Sequence, residues 1–470
     1  MSGLFRVLGF LALPLVFVSC VTSTRNAVFV KADAGVVARN YESVAKILDG
    51  PDTKSYYNEK DQVLRNLDVG LLYHLAGNPA ESLRRLDLAE RLIDENYTKS
   101  ISNAAASFLL NDYQLEYFGE VYEDLYINLF KALDYMRLGK TDGAYVEIRR
   151  VSDKLNLLED KYGRMASGMN SSPSSKGVVQ AGKTEFRNSA LARYLSMLLY
   201  RADGRPDDAA IDQRQIQAAF SSQPSLYNFP IPAAVSPPVV PGKARLNIVA
   251  FAGKSPVKRA NNLRINTLKN LIIVSVQKED SRGQLQFAQL APISFPGVAG
   301  GYNFKAELPE MLLQPSQVAR IAVLVDGVPA GELALIEKID SIALETHKLT
   351  ETPIFFKTVL RTVTKGILTK TAKDQANRAA SQAGELVGIL AFAGGIAADL
   401  LVDASEQADL RTARYFPGQA YVGELAVEPG EHTVTVEYFS RAGALLYQEF
   451  FPRKNYLENG LNLVSSFNLE

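Results

Sequence analysis

Three histidines, one cysteine and a run of three carboxylates are the residues in this chain best placed by type to do chemistry. His74, His347 and His432 are its only histidines. The first two fall in segments patterned as helix and the third in a segment patterned as strand, with no ligand spacing between them. There is no His-Glu-x-x-His pair, phosphate-cradling Gly-rich loop, Gly-x-Ser-x-Gly elbow or paired-cysteine motif. Gly253–Lys254–Ser255–Pro256 lacks the glycine spacing of a phosphate loop and reads as a β-turn. The sequence therefore points to no catalytic residues, no metal, no cofactor and no enzyme activity. Glu120, Glu123 and Asp124 stand just before the apolar stretch LYINLF. One reading makes them an acidic lip for a basic partner, with Glu120 and Glu123 as groove contacts. The other makes them compensation for a helix dipole, paired with Arg149 or Arg150.

Cys20 is the single cysteine, and it closes an apolar run. Arg6 precedes an uncharged stretch from Val7 to Val18, then Ser19 and Cys20, then a polar run from Thr22 to Asn26. That order is the positive start, apolar middle and small-residue end of a secretory signal. Val16–Phe17–Val18–Ser19–Cys20 resembles the lipobox of bacterial lipoproteins, with Phe17 where leucine is commonest. The resemblance implies lipid attachment at Cys20, after removal of the residues before it. Three hydrocarbon tails, at ~0.8 kcal/mol per buried methylene, would hold the chain on a bilayer. Val21, rather than aspartate, follows the cysteine, which by the same resemblance implies the outer membrane. An ordinary cleaved signal or a short anchor helix are the alternatives, although the apolar run is shorter than the ~20 residues of a spanning helix.

The 470 residues allow two or three domains. Lys plus Arg and Asp plus Glu number 51 each, so no net charge draws the chain to nucleic acid. With Cys20 acylated no thiol remains for disulfides or redox chemistry.

Residues 21–220 read as helical. Tyr73–Gly77–Ser82, Tyr135–Gly139–Ala144 and Tyr200–Gly204–Ala209 share one spacing. Glycine ends a helix at positive φ, the small residue admits the next helix, and tyrosine fills the space beside it. The pattern resembles the tetratricopeptide repeat, whose stacks present a concave surface to other chains. The tyrosines lie 62 and 65 residues apart, so a further degenerate helical unit is expected between each pair. Residues 221–242 hold six prolines and no charge, and read as an extended linker or a strap along a neighbour. Short β-rich runs fill 243–336, as in an antiparallel sandwich. Residues 337–410 read as a helical insertion, and 411–470 return to strand. The expected fold is multi-domain α + β: a tetratricopeptide-like helical domain, then a sandwich-like β-domain with a helical insertion. Within the insertion, 386–401 is apolar and glycine-containing, either a hairpin that inserts into a membrane or partner, or one buried on the sandwich.

The segments 117–151, 192–212, 251–259, 405–420 and 427–436, in that order, resemble a functionally uncharacterised family of bacterial outer-membrane lipoproteins with tetratricopeptide-like helices and a C-terminal β-domain. That resemblance implies location and fold and adds little about mechanism. The expected function is a lipid-anchored periplasmic scaffold or adaptor that binds envelope proteins through a helical-repeat groove. A binding module for peptidoglycan or a lipid is the alternative, followed by a cell-wall enzyme.

Overall fold

A computed structural model describes residues 21–238, 240–279, 285–383 and 407–470. Cys20 and the apolar segment 386–401 lie outside the described residues. The first half folds as four helical hairpins: α1 (Val21–Val37) with α2 (Tyr41–Asp49), α3 (Gln62–Leu75) with α4 (Pro79–Ser102), α5 (Val121–Arg137) with α6 (Thr141–Asn170), and α7 (Ala190–Ala202) with α8 (Pro206–Ser222). Local chemistry starts each second helix or its partner. Asn78 caps α4 by accepting from the Glu81 N–H, Pro79 and Pro206 occupy first turns, and Ser189 caps α7 by accepting from the Ala192 N–H.

The three glycine turns form as the spacing predicts. Gly77, Gly139 and Gly204 have φ of 72°, 67° and 67°. The N–H that follows each donates back to the tyrosine carbonyl, from Asn78 to Tyr73, Lys140 to Tyr135 and Arg205 to Tyr200, at 2.8–2.9 Å. The turn between α1 and α2 repeats this geometry without the signature. Arg39 takes the glycine's place at φ 59°, and Asn40 donates to the Gly35 carbonyl at 2.9 Å. Its sizes are exchanged, with Gly35 at the tyrosine position and Val44 at the small one. A Cβ on Gly35 would lie 2.5 Å from Val44 Cγ2. The expected extra helical unit between hairpins is absent. Long second helices, 24 residues in α4 and 30 in α6, take up part of each interval, and irregular chain with a 3-10 turn at Asp112–Gln114 takes up much of the rest.

The second half contributes strands β1 (Ala244–Lys254), β2 (Val257–Leu268), β3 (Leu271–Glu279), β4 (Leu285–Gln289), β5 (Ile293–Ser294), β6 (Asn303–Leu312), β7 (Val318–Val325), β8 (Val328–Glu332) and β9 (Ala334–Lys338), then helix α9 (Ile339–Ala383). After it come β10 (Pro417–Val427), β11 (Gly430–Ser440), β12 (Leu445–Tyr456) and β13 (Asn462–Asn468). Among the described residues these make three sheets. The first is ordered β13-β1-β10-β9, the second β12-β11-β7-β8, and the third β4-β3-β2-β6 with β5 beside β3. The first two face each other as a sandwich, with Leu246, Ile248 and Ala250 of β1 against Ile321, Val323 and Val436. The expectation of a wholly antiparallel sheet is corrected at one pair. β13 runs parallel to β1, from Leu246 opposite Asn462 to Ala252 opposite Asn468. A parallel neighbour needs a long crossover, and here it is the entire chain between the two strands.

Val249 and Phe251 of β1 point the other way, into the helices, so this strand is buried on both faces and its sequence is apolar without alternation. The helices of each hairpin divide accordingly. Those of α3, α5 and α7 form an inner layer on the first sheet, and α4, α6 and α8 cover them. One apolar core runs from Phe29 of α1 through the inner helices, the first and third sheets and the first half of α9. The proline-rich stretch is a strap. Leu226, Tyr227 and Val235 are buried, and Phe220, Tyr227 and Phe229 stack as a cluster.

Candidate functional site

The inner helical face was the expected partner groove, and the chain itself closes it. His74 of α3 meets the Phe467 ring of β13 edge-on, centroids 5.1 Å apart. Phe130 of α5 packs on Phe251 of β1 and on Phe416. Tyr126 of α5 donates to Glu337 of β9 at 2.5 Å, as does the Leu191 N–H of α7 at 3.0 Å. Arg201 of α7 pairs with Glu424 of β10 at 3.0 Å. The hairpins thus step across the first sheet in its strand order.

Glu120 and Glu123 are corrected from groove contacts to interior groups. They form the capping box of α5, and Glu123 is 0% exposed. Glu123 Oε2 accepts from the Glu120 N–H at 2.8 Å and the Tyr117 hydroxyl at 2.7 Å, while Oε1 accepts from the Ala413 N–H at 2.7 Å. Glu120 pairs with Lys258 of β2 and with His347 Nδ1 of α9 at 3.1 Å. Arg149 and Arg150 are not their partners. Arg150 bonds Glu90 and Glu147 instead. Asp124 pairs with Lys154 at 2.6 Å and Lys161 at 2.9 Å.

The two glutamates are driven apart in protonation. Burial raises the Glu123 carboxyl, the charge of Glu120 raises it further, and it reaches about 7. Burial alone would raise Glu120 too, but the Lys258 ammonium and His347 outweigh it and hold that carboxyl at about 2. Carboxyl pairs split in this way occur at acid–base sites. Here they tie α5 to the third sheet, to α9 and to the segment after the insertion. The neighbouring cavity is lined by Glu120, Lys258, Asp112, Arg361, Arg411 and Met165. Its volume is about 50 Å³, room for a few waters but not for a sugar. Its cations are engaged. Arg411, 1% exposed, holds Asp61 and Asp409, Lys258 holds Glu120, and Arg361 lies 3.8 Å from Asp112.

A second cleft opens between α4, α5 and α6, with a volume of about 490 Å³. Its acidic lining, Asp87, Glu90 and Glu147, is held from beneath by the fully buried Lys131, at 2.6, 2.7 and 3.1 Å. Burial would raise Glu90, but Lys154 and Lys131 hold it at about 2. Tyr135 forms part of the wall, pressed on Gly143, where an added Cβ would lie 2.7 Å from the ring. Arg91, Arg150 and Val146 reach solvent around it. This cleft belongs to the helical hairpins but opens away from the sheet.

Ser82, Ala144 and Ala209 are buried under the neighbouring helix. Several key side chains had no sequence signal. Lys258 sits in a strand of mixed polarity, and Arg411 and Glu337 are charged residues that only the fold buries. Glu337, 0% exposed, accepts from Tyr126, Tyr227, Ser189 and the Leu191 N–H, and burial raises its carboxyl. His74 and Asp134 form a buried pair at 2.7 Å, and burial lowers the imidazole against the pull of Asp134. Among the described residues no cluster of three or more His, Cys, Asp or Glu could hold a metal, and no helix is long and apolar enough to cross a membrane. No protein-family model, curated protein or solved structure matches this chain.

Proposed function

We propose that this chain is a scaffold or adaptor of the bacterial envelope, anchored to the outer membrane by acyl chains on Cys20 and facing the periplasm. It binds other envelope proteins through the cleft between α4, α5 and α6. The observation that carries the site is the open cleft lined by Tyr135, by Arg91 and Arg150, and by Asp87, Glu90 and Glu147. Such a surface fits a polar segment of another protein, anchored on Tyr135 and oriented by Arg91, Arg150 and the acidic floor. The inner helical face is occupied by the first sheet and is not the groove. The peptidoglycan or lipid alternative asks for a sugar-sized or deep apolar pocket in the β-domain, and the cavity beside Glu120, at about 50 Å³, is too small for that role.

A photo-crosslinker in place of Val146, which is 47% exposed at the cleft, tests the proposal in intact envelopes. Discrete adducts with the same envelope proteins are expected from that position and not from Val328, 65% exposed on the edge strand β8. Equal or absent adducts at the two positions would remove the cleft as the binding surface.

A further inference from the structure

From Val28 to Val37 helix α1 carries apolar residues on two sides, and the body covers one of them. Phe29, Ala32 and Val36 are buried at 1%, 2% and 4% exposure. Phe29 packs on Tyr56 and Tyr57, and Asp33 pairs with Arg414 at 2.5 Å. These contacts fix the helix to the body, so from Phe29 onward it is no loose tether. On the other side Val30 is 64% and Val37 56% exposed, with Ala34 and Ala38 exposed between and beside them. Positions 30, 34, 37 and 38 follow the i, i+4, i+7, i+8 spacing of a single helical stripe. A helix apolar on both sides is ordinarily covered on both. From Val28 to Ala38 the exposed charge on α1 is Lys31, and the acid, Asp33, is turned to Arg414.

The position of the stripe in the chain selects its occupant. Among the described residues α1 runs from Val21, and Cys20 is the residue before it in the sequence. With acyl chains on Cys20, ten residues along the chain lead from the anchor to Val30. The seventeen residues of α1, at about 1.5 Å each, put Val30, Ala34 and Val37 within about 25 Å of the anchor. The bilayer is then presented to this face at high effective concentration.

We infer that the Val30–Ala34–Val37 stripe of α1, continued by Ala38 in the turn after it, lies on the lipid surface, so that the protein sits on the membrane in one fixed orientation. The inference rests on acylation of Cys20. A stripe of this kind settles at the boundary between headgroups and acyl chains. Lys31 at its edge suits the anionic headgroups, and no exposed acid of the stripe opposes it.

The experiment uses the full chain, purified with its acyl chains and reconstituted into phosphatidylethanolamine–phosphatidylglycerol vesicles. Acylation blocks the one native thiol, so Val30→Cys, Val37→Cys and Phe450→Cys each carry a single environment-sensitive dye. All three positions are exposed, so the fold is preserved. Brominated lipids should quench the dyes at 30 and 37 at least about twofold more than the dye at 450, as expected for a face about 5–10 Å into the headgroup boundary. Vesicle-bound, acylated protein with equal quenching at all three positions overturns the inference alone. Unlabelled Val30→Cys protein that a bifunctional thiol reagent crosslinks between copies, together with no lipid quenching of the dye at 30, also overturns it, in favour of a second copy on the stripe. Protein with a free thiol at Cys20 that does not sediment with vesicles overturns the anchor and this inference with it.

Discussion

At the scale of single residues, Glu120 and Glu123 carry opposite pH dependences. Glu123 is raised in the folded chain, so between the ordinary 4.5 and about 7 it keeps a proton that the unfolded chain has released. Its contribution to stability therefore falls as pH rises through that window. Glu120 is depressed, so its contribution is present above 4.5 and is lost as pH falls towards about 2. Glu123→Gln removes the first dependence. It also turns an amide N–H₂ towards donors that need an acceptor, at a cost of about 1–3 kcal/mol. Urea unfolding at about pH 5 and about pH 7.5 should show the gap between wild type and variant narrowing by about 1–3 kcal/mol at the higher pH. Parallel pH profiles would show that Glu123 does not titrate in that range. The acidic character of this helix start was legible in the sequence, because acids before an apolar run mark an N-terminus. Its burial was not. Lys258, His347 and Ala413 come from distant positions, and nothing local announces that they meet Glu120 and Glu123.

At the scale of elements, the turn glycines were readable because a helix that stops and reverses needs a residue at positive φ. The first hairpin escaped because Arg39 accepts that conformation and the bulky and small positions are exchanged. This exchange predicts a coupled pair. Gly35→Ala should destabilise the chain by about 1–3 kcal/mol through its collision with Val44. Val44→Ala in the same chain should recover part of that loss, giving a coupling energy of about 0.5 kcal/mol or more in a double-mutant cycle. Strictly additive effects would mean that the two helices do not meet as described. The sheet shows the same division between local and distant signals. The hairpin of β11 and β12 around Gly443 follows from alternation and a turn. The parallel seating of β13 beside β1 is set by shape across the whole second half, which no local pattern encodes.

At the scale of the molecule, the helical and β-rich halves read as separate because their periodicities change at the proline-rich stretch. The structure joins them. The faces of α3, α5 and α7 that a free-standing stack would offer to a partner are covered by the first sheet, and one apolar core crosses the boundary. Calorimetry of the full chain should therefore give one cooperative transition whose van't Hoff and calorimetric enthalpies agree. Residues 21–222 alone should fail to fold cooperatively, since their inner layer would face water. Two separable transitions, or a cooperatively folded helical fragment, would contradict a shared core.

The role proposed at the envelope depends on what Cys20 carries. Mass spectrometry of the mature N-terminal peptide measures this directly. The predicted result is a peptide that begins at Cys20 and bears a thioether-linked diacylglycerol and an N-linked acyl chain. A bare thiol at Cys20, or a peptide that still carries residues 1–19, would contradict the anchored scaffold.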